Sequence, residues 1–133
     1  RPGARELLTE IREAGVATAL VTMSIGRMAH HVADRLGFHG YEAVVSGDDV
    51  VASKPHPEPY LKGAEALGVD PRYCVALEDS VPGIASARAA GTTVIGIPFI
   101  VPIEEGAAHV LWPTLEGRTL ADLGRVLATS AAM

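Results

Sequence analysis

Short apolar runs alternate along this chain with segments of helical periodicity, and glycine closes most of the helical ones. Residues 16–21, 43–46, 73–77 and 93–97 are nearly all apolar. A strand exposed on one face alternates apolar and polar residues, whereas an almost unbroken apolar run marks a strand buried on both faces. Between the runs the spacing changes to that of a helix. The first helix extends to about Ala14, with Leu7, Leu8 and Ile11 on one face and Gly15 as the left-handed residue beyond its end. A second covers 26–36 before Gly37. A third opens at Pro59, carries Tyr60, Leu61, Ala64 and Leu67 on one side, and stops at Gly68. The fourth covers 82–90 and ends at Gly91; the last carries Leu120, Leu123, Val126 and Leu127. The stretch 98–117 reads as a loop with a short helical turn near 104–107.

Strands that alternate with ten-residue helices are joined by right-handed crossovers into a parallel sheet covered by helices. The expected fold is therefore α/β, a Rossmann-like three-layer sandwich with a mainly parallel sheet, in one domain over residues 1–133. In such sheets ligands bind outside the carboxyl ends of the strands.

Charge and composition narrow the function classes. A net charge of −5, with eleven scattered basic residues, argues against a nucleic-acid partner. The longest apolar stretch, 94–103, is broken by Pro98 and Pro102 and falls well short of the about 20 residues a membrane span needs, so no membrane partner is expected. The single cysteine, Cys74, excludes an internal disulfide and points to the reducing cytoplasm. Within an apolar run it reads as a core thiol rather than a reactive one. His30 and His31 are adjacent and cannot share a helix face, and His39, His56 and His109 are isolated, so no zinc site is expected.

Polar groups stand just past three of the apolar runs. Thr22 and Ser24 follow the first, Lys54 lies beyond the second, and Glu78 with Asp79 follows the third. Taken singly, Ser24 is a helix cap, Lys54 a solvated loop lysine, and Asp79 or Ser80 the cap of the helix at Pro82. Taken together, a hydroxyl, an ammonium and two adjacent carboxylates converge on one edge of one sheet. Adjacent carboxylates repel unless a cation joins them, and hard oxygen ligands suit Mg2+. A lysine and a hydroxyl beside that metal describe a site for a phosphoryl group.

Three stretches, in this order and spacing, resemble motifs of the haloacid dehalogenase superfamily. Val21-Thr22-Met23-Ser24 is similar to its second motif. Ser46-Gly47-Asp48-Asp49 followed by Ser53-Lys54-Pro55-His56-Pro57-Glu58-Pro59-Tyr60 is similar to its third, and Leu77-Glu78-Asp79-Ser80 running into Gly83 to its fourth. The resemblance implies that Thr22 hydrogen-bonds an oxygen of the transferring phosphoryl group, with Met23 and Ser24 also binding substrate. Met23 stands where asparagine is frequent, which implies a backbone contact there. It further implies that Lys54 offsets charge on the nucleophile and phosphoryl oxygens, and that Glu78 and Asp79 hold Mg2+ directly or through water. Ser80 is a candidate supporting hydroxyl.

The family's first motif, an Asp-x-Asp pair, has no match. Its first Asp attacks phosphorus and its second is general acid, then base. The three aspartates before Lys54 are Asp34, Asp48 and Asp49, all expected in helix or loop, and Arg1 leads directly into a helix. The resemblance thus implies the C-terminal part of a longer protein, with the N-terminal central strand, nucleophile and helical cap outside it. The whole protein reads as a Mg2+-dependent phosphatase acting on a small phosphomonoester; the chain alone reads as inactive. The alternatives are a sugar phosphomutase, whose relatives carry Lys-Asn where this chain has Ile25-Gly26, a dehalogenase, or a non-catalytic phosphate-binding module. The absent strand would lie between the strand ending at Thr22 and the strand ending at Glu78. An empty slot there exposes backbone groups at roughly 1–3 kcal/mol each. A further segment is therefore expected to complete the sheet, unless those two strands pair directly.

Overall fold

A computed structural model describes residues 2–23, 41–99 and 101–131. Ser24, Ile25, Gly26, Asp34, the helix expected over 26–36, and His30, His31 and His39 lie outside the described residues. The elements are α1 (Ala4–Glu13), β1 (Ala19–Val21), β2 (Ala43–Val45), α2 (Glu58–Leu67), β3 (Val75–Glu78), α3 (Val81–Ala89), β4 (Thr93–Gly96), β5 (Val110–Leu111) and α4 (Leu120–Ala131). Single turns of 3-10 helix occupy Gly47–Asp49 and Pro71–Tyr73.

Among the described residues every strand pairing is parallel. In the first sheet β1 lies beside β2, with Ala19 opposite Ala43 and Val21 opposite Val45. The second has the order β3-β4-β5, with Val75 opposite Thr93, Glu78 opposite Gly96, and Ile95 opposite Val110. Among the described residues β1 and β3 belong to separate sheets, so the direct pairing left open by the sequence does not form.

The three layers follow from the twofold alternation of side chains along a strand. On one face of the second sheet, Ile95 and Ile97 pack with Leu7 and Ile11 of α1, Trp112, Leu115, and Leu123 of α4; Val75 and Leu77 border this cluster. On the other, Ala76 and Val94 pack with Ile84 and Ala87 of α3 and with Ile103 and Ala108. Consecutive residues Val94 and Ile95 thus serve opposite cores, and both are fully buried. α2 covers the first sheet, close enough that a methyl group on Gly63 would lie 3.2 Å from Val21 Cγ2.

Local hydrogen bonding moves several boundaries from their expected places. β1 begins at Ala19 rather than Val16 because Val16 still belongs to the end of α1. Its N–H donates to Ile11 O, and that of Gly15 (φ 77°) donates to Arg12 O, the paired bonds of a left-handed helix terminus. β3 begins at Val75 because the Asp70 carboxylate accepts from Arg72 N and caps the 3-10 turn that ends at Tyr73. Tyr73 is therefore exposed, and Cys74 is half-buried rather than a full core residue. Its Sγ–H donates to Asp70 O, and burial raises the thiol pKa. α2 begins at Glu58 and leaves Leu61 exposed, its buried face being Pro59, Gly63 and Ala64. β5 was not expected. It has two residues within a stretch without periodicity, and 104–107 is a turn closed by Ala107 N to Glu104 O, not a helix.

If Ile95 is the centre of the first cluster, Ile95→Ala in the full-length protein should lower the unfolding free energy by about 3 kcal/mol. Denaturant unfolding with an unchanged m-value measures this; a loss below about 1 kcal/mol contradicts the placement.

Candidate active site

The loop between β2 and α2 carries Lys54, and three separate anchors hold it. The Glu58 carboxylate accepts from Val51 N and Ala52 N, both at 2.9 Å. Those backbone donors, Ala52 first, hold its pKa below the ordinary value. The buried Ser86 hydroxyl of α3 donates to His56 O at 2.6 Å, and His56 Nδ1 accepts from Glu58 N at 3.0 Å. Upstream, Asp49 accepts from the N–H and hydroxyl of Ser46, closing the turn that follows β2.

This loop delivers the Lys54 ammonium to the carboxyl ends of both sheets. Nζ donates to Val21 O, at the end of β1, at 3.2 Å, and to Glu78 Oε2, at the end of β3, at 2.5 Å. The side chains of Lys54 and Glu78 are 14% and 6% exposed, too enclosed for solvent to screen the pair as it screens surface bridges. Tyr60 of α2 donates its hydroxyl to the same Glu78 oxygen at 2.5 Å, while the ammonium sits 5.3 Å from its ring centroid. Burial, then the charge on Glu78, push the Tyr60 pKa well above its ordinary value, so the hydroxyl is a proton donor at neutral pH.

Asp79 follows Glu78 and is exposed. It borders a hollow of about 290 Å³ shared with Ser80, Val81, Pro82, Phe99 and Val101. A larger hollow of about 350 Å³ near Ile97, Pro113 and Leu115 has no titratable side chain in its wall. Ser80 is the N-cap of α3, its Oγ accepting from Gly83 N at 3.1 Å, as the cap reading expects. Thr22 and Met23 come directly after β1, and Thr22 N donates to Val45 O at 2.9 Å. Lys54 therefore touches the residue before Thr22 and the residue before Asp79, so the two strand ends that carry them share one contact. The remaining described histidines stay apart. His56 orients the loop, and His109 Nδ1 accepts from Val94 N at 2.9 Å, its pKa lowered by burial and by Arg88.

Two members of this edge lie within the stretches that resemble family motifs, but the sequence reading gives them no role at the site. Tyr60 reads as one of a row of apolar-face residues, although a buried tyrosine hydroxyl generally finds a partner. Gly83 reads as a helix residue, yet a methyl group there would stand 2.0 Å from Glu78 Oε1.

The fold and this placement of groups define an α/β protein of parallel sheets whose polar residues converge at the strands' carboxyl edge. The model of the haloacid dehalogenase-like hydrolase family matches residues 1–91, and the chain belongs to that family. It is similar to hexitol phosphatase A of Escherichia coli, 39% identical over 99 residues, which is 72% of this chain and 44% of the relative. The structure of CbbY from Rhodobacter sphaeroides in complex with phosphate superposes with a TM-score of 0.86 at 30% identity, over 93% of this chain and 58% of that one. A β-phosphoglucomutase from Clostridium difficile shares the fold, with a TM-score of 0.84 at 21% identity over 99% of this chain and 58% of that one. The chain thus spans about half the length of the relatives it matches.

Gly83→Ala separates two opposing effects. At an ordinary helical glycine, alanine stabilises by up to about 1 kcal/mol. Here the added methyl would displace a carboxylate fixed by Lys54 and Tyr60, and disrupting a buried ion pair costs about 3–5 kcal/mol. We expect a net loss of about 2 kcal/mol or more, read from denaturant unfolding of the full-length protein. A stabilised variant contradicts the clamped position of Glu78.

Proposed function

We propose that the whole protein hydrolyses a small phosphomonoester through an aspartyl phosphate whose aspartate lies outside these 133 residues. The observation that carries this reading is the Lys54 ammonium, held between Val21 O and the Glu78 carboxylate beside the exposed Asp79. An ammonium has three donors, and among the described residues two are taken by these groups, so the third is assigned to a phosphoryl or nucleophile oxygen. The Thr22 hydroxyl is assigned to a second phosphoryl oxygen, with Met23 N–H contributing to the same cradle; Ser24 lies outside the described residues. We assign the strand that carries the nucleophile to a position between β1 and β3, which are not joined to each other among the described residues.

The donor set suits Mg2+. Asp79 is an exposed carboxylate beside a second carboxylate at a strand end, and Mg2+ takes one or two protein carboxylates, keeping waters and substrate oxygens for the rest. Among the described residues no three His, Cys, Asp or Glu side chains gather into a fuller cage. Asp79 would hold the ion directly. Glu78, one oxygen of which already accepts from Lys54 and Tyr60, would support it through the other oxygen or through water. When bound, the ion offsets phosphoryl charge and orients the ester. Lys54 would neutralise the remaining charge, and its buried setting would strengthen that effect. Named phosphatases among the relatives support the reaction class. Net charge −5 and the lack of any helix long and apolar enough to cross a membrane among the described residues are consistent with a small-molecule substrate. The single cysteine supports a cytoplasmic setting.

Hydrolysis of a generic phosphate ester by the full-length protein should require Mg2+ and stop in EDTA. Asp79→Asn should raise the Mg2+ concentration needed for half-maximal rate, since one ligand charge is lost. Lys54→Ala should lower kcat by about 100-fold or more, the scale of a preorganised electrostatic group. Steady-state rates against Mg2+ concentration measure all three; undiminished turnover in both variants rejects the mechanism.

A further inference from the structure

Glu78 is held on three sides. Its Oε2 accepts from Lys54 Nζ and from the Tyr60 hydroxyl, each at 2.5 Å, and its Oε1 lies against Gly83, where a Cβ would approach to 2.0 Å. A carboxylate gripped this way has one pose. Lys54, by contrast, ends a flexible four-carbon stem, and the directions of its protons are set by what accepts them. Among the described residues its acceptors are Val21 O and this one oxygen of Glu78. Without the Tyr60 donor, Oε2 would keep one partner in a nearly dry pocket, and the carboxylate could rotate away from Gly83 toward solvent. The ammonium would follow it.

We propose that Tyr60 is a positioning residue for the phosphoryl-transfer site: its hydroxyl fixes the Glu78 carboxylate, which in turn aims the third N–H of Lys54 into the cleft. This rests on the phosphatase reading above and extends it to a residue on α2 that does not touch the reacting atoms. The ring and the hydroxyl have separable roles. The ring belongs to the packing of α2 and α3, where it borders the Ile84 cluster. The hydroxyl acts through Glu78 and Lys54 alone, so its removal should matter only while Lys54 is present.

The test is a double-mutant cycle in the full-length protein, with an aromatic phosphate monoester and saturating Mg2+. Tyr60→Phe keeps the ring and removes the hydroxyl. It should lower kcat about tenfold, as expected for a hydrogen bond to a charged group, and leave KM within about twofold. In the Lys54→Ala background, adding Tyr60→Phe should change kcat by less than about twofold, because the group it acts through is gone. Equal losses in both backgrounds would make the hydroxyl a general structural element and overturn the proposal, as would a Tyr60→Phe protein without a cooperative melting transition. A wild-type protein with no Mg2+-dependent esterase activity overturns the phosphatase reading itself. An active wild type in which Tyr60→Phe is silent overturns only the role of Tyr60.

Discussion

Lys54 and Glu78 form a charge pair almost removed from water, and the arrangement of the carboxyl edge follows from it. Withdrawing an ionised group from water costs several kcal/mol even after relaxation, and the mutual attraction of a buried pair rarely does more than offset that cost. Apolar side chains of similar volume would generally give as stable a protein. What the pair provides instead is position. One nitrogen contacts the backbone that ends β1 and the side chain that ends β3, so the carboxyl ends of two sheets with no shared ladder are tied at one point. The supports around it are consistent with that role. Glu58 and Ser86 fix the loop that carries Lys54, and Tyr60 and Gly83 enclose the carboxylate. Among the described residues no buried side-chain nitrogen or oxygen lacks a partner.

Much of this was legible in the sequence, for reasons that differ by residue. The parallel α/β architecture follows from apolar runs that could be buried only on both faces, and Val94 and Ile95 facing opposite cores are the direct consequence. Lys54, Glu78 and Asp79 stood out because charged groups recurred just past the strands. Strand starts were harder to read, because they depend on hydrogen bonds rather than on hydropathy. Val16 is as apolar as Leu20, yet its N–H is taken by the end of α1. β5 was hidden for another reason: Val110 and Leu111 are too few to show a period, and they pair only because β4 offers an edge. Tyr60 and Gly83 fall within the motif stretches, but their contacts with Glu78 join elements far apart in the chain, and no spacing rule encodes those contacts.

Membership of the haloacid dehalogenase-like hydrolases agrees with the placement of these groups but does not by itself choose a substrate. The described residues supply the charged edge and an apolar border of Val81, Phe99 and Val101 beside Asp79. Hexitol phosphatase A and CbbY extend over roughly twice the length matched here, so substrate discrimination within the family can be built on parts that this chain does not contain.

The central claim is that Lys54 and Asp79 face one phosphoryl group and its metal. Crystals of the full-length protein grown with Mn2+ and inorganic phosphate test it most directly, because Mn2+ can be located by its anomalous scattering. The account predicts a Mn2+ peak in direct coordination with the Asp79 carboxylate, and a phosphate whose oxygens accept from Lys54 Nζ and from the Thr22 hydroxyl. Mn2+ and phosphate bound away from that edge, with Lys54 still closed on Glu78 and Asp79 carrying no metal, would contradict it.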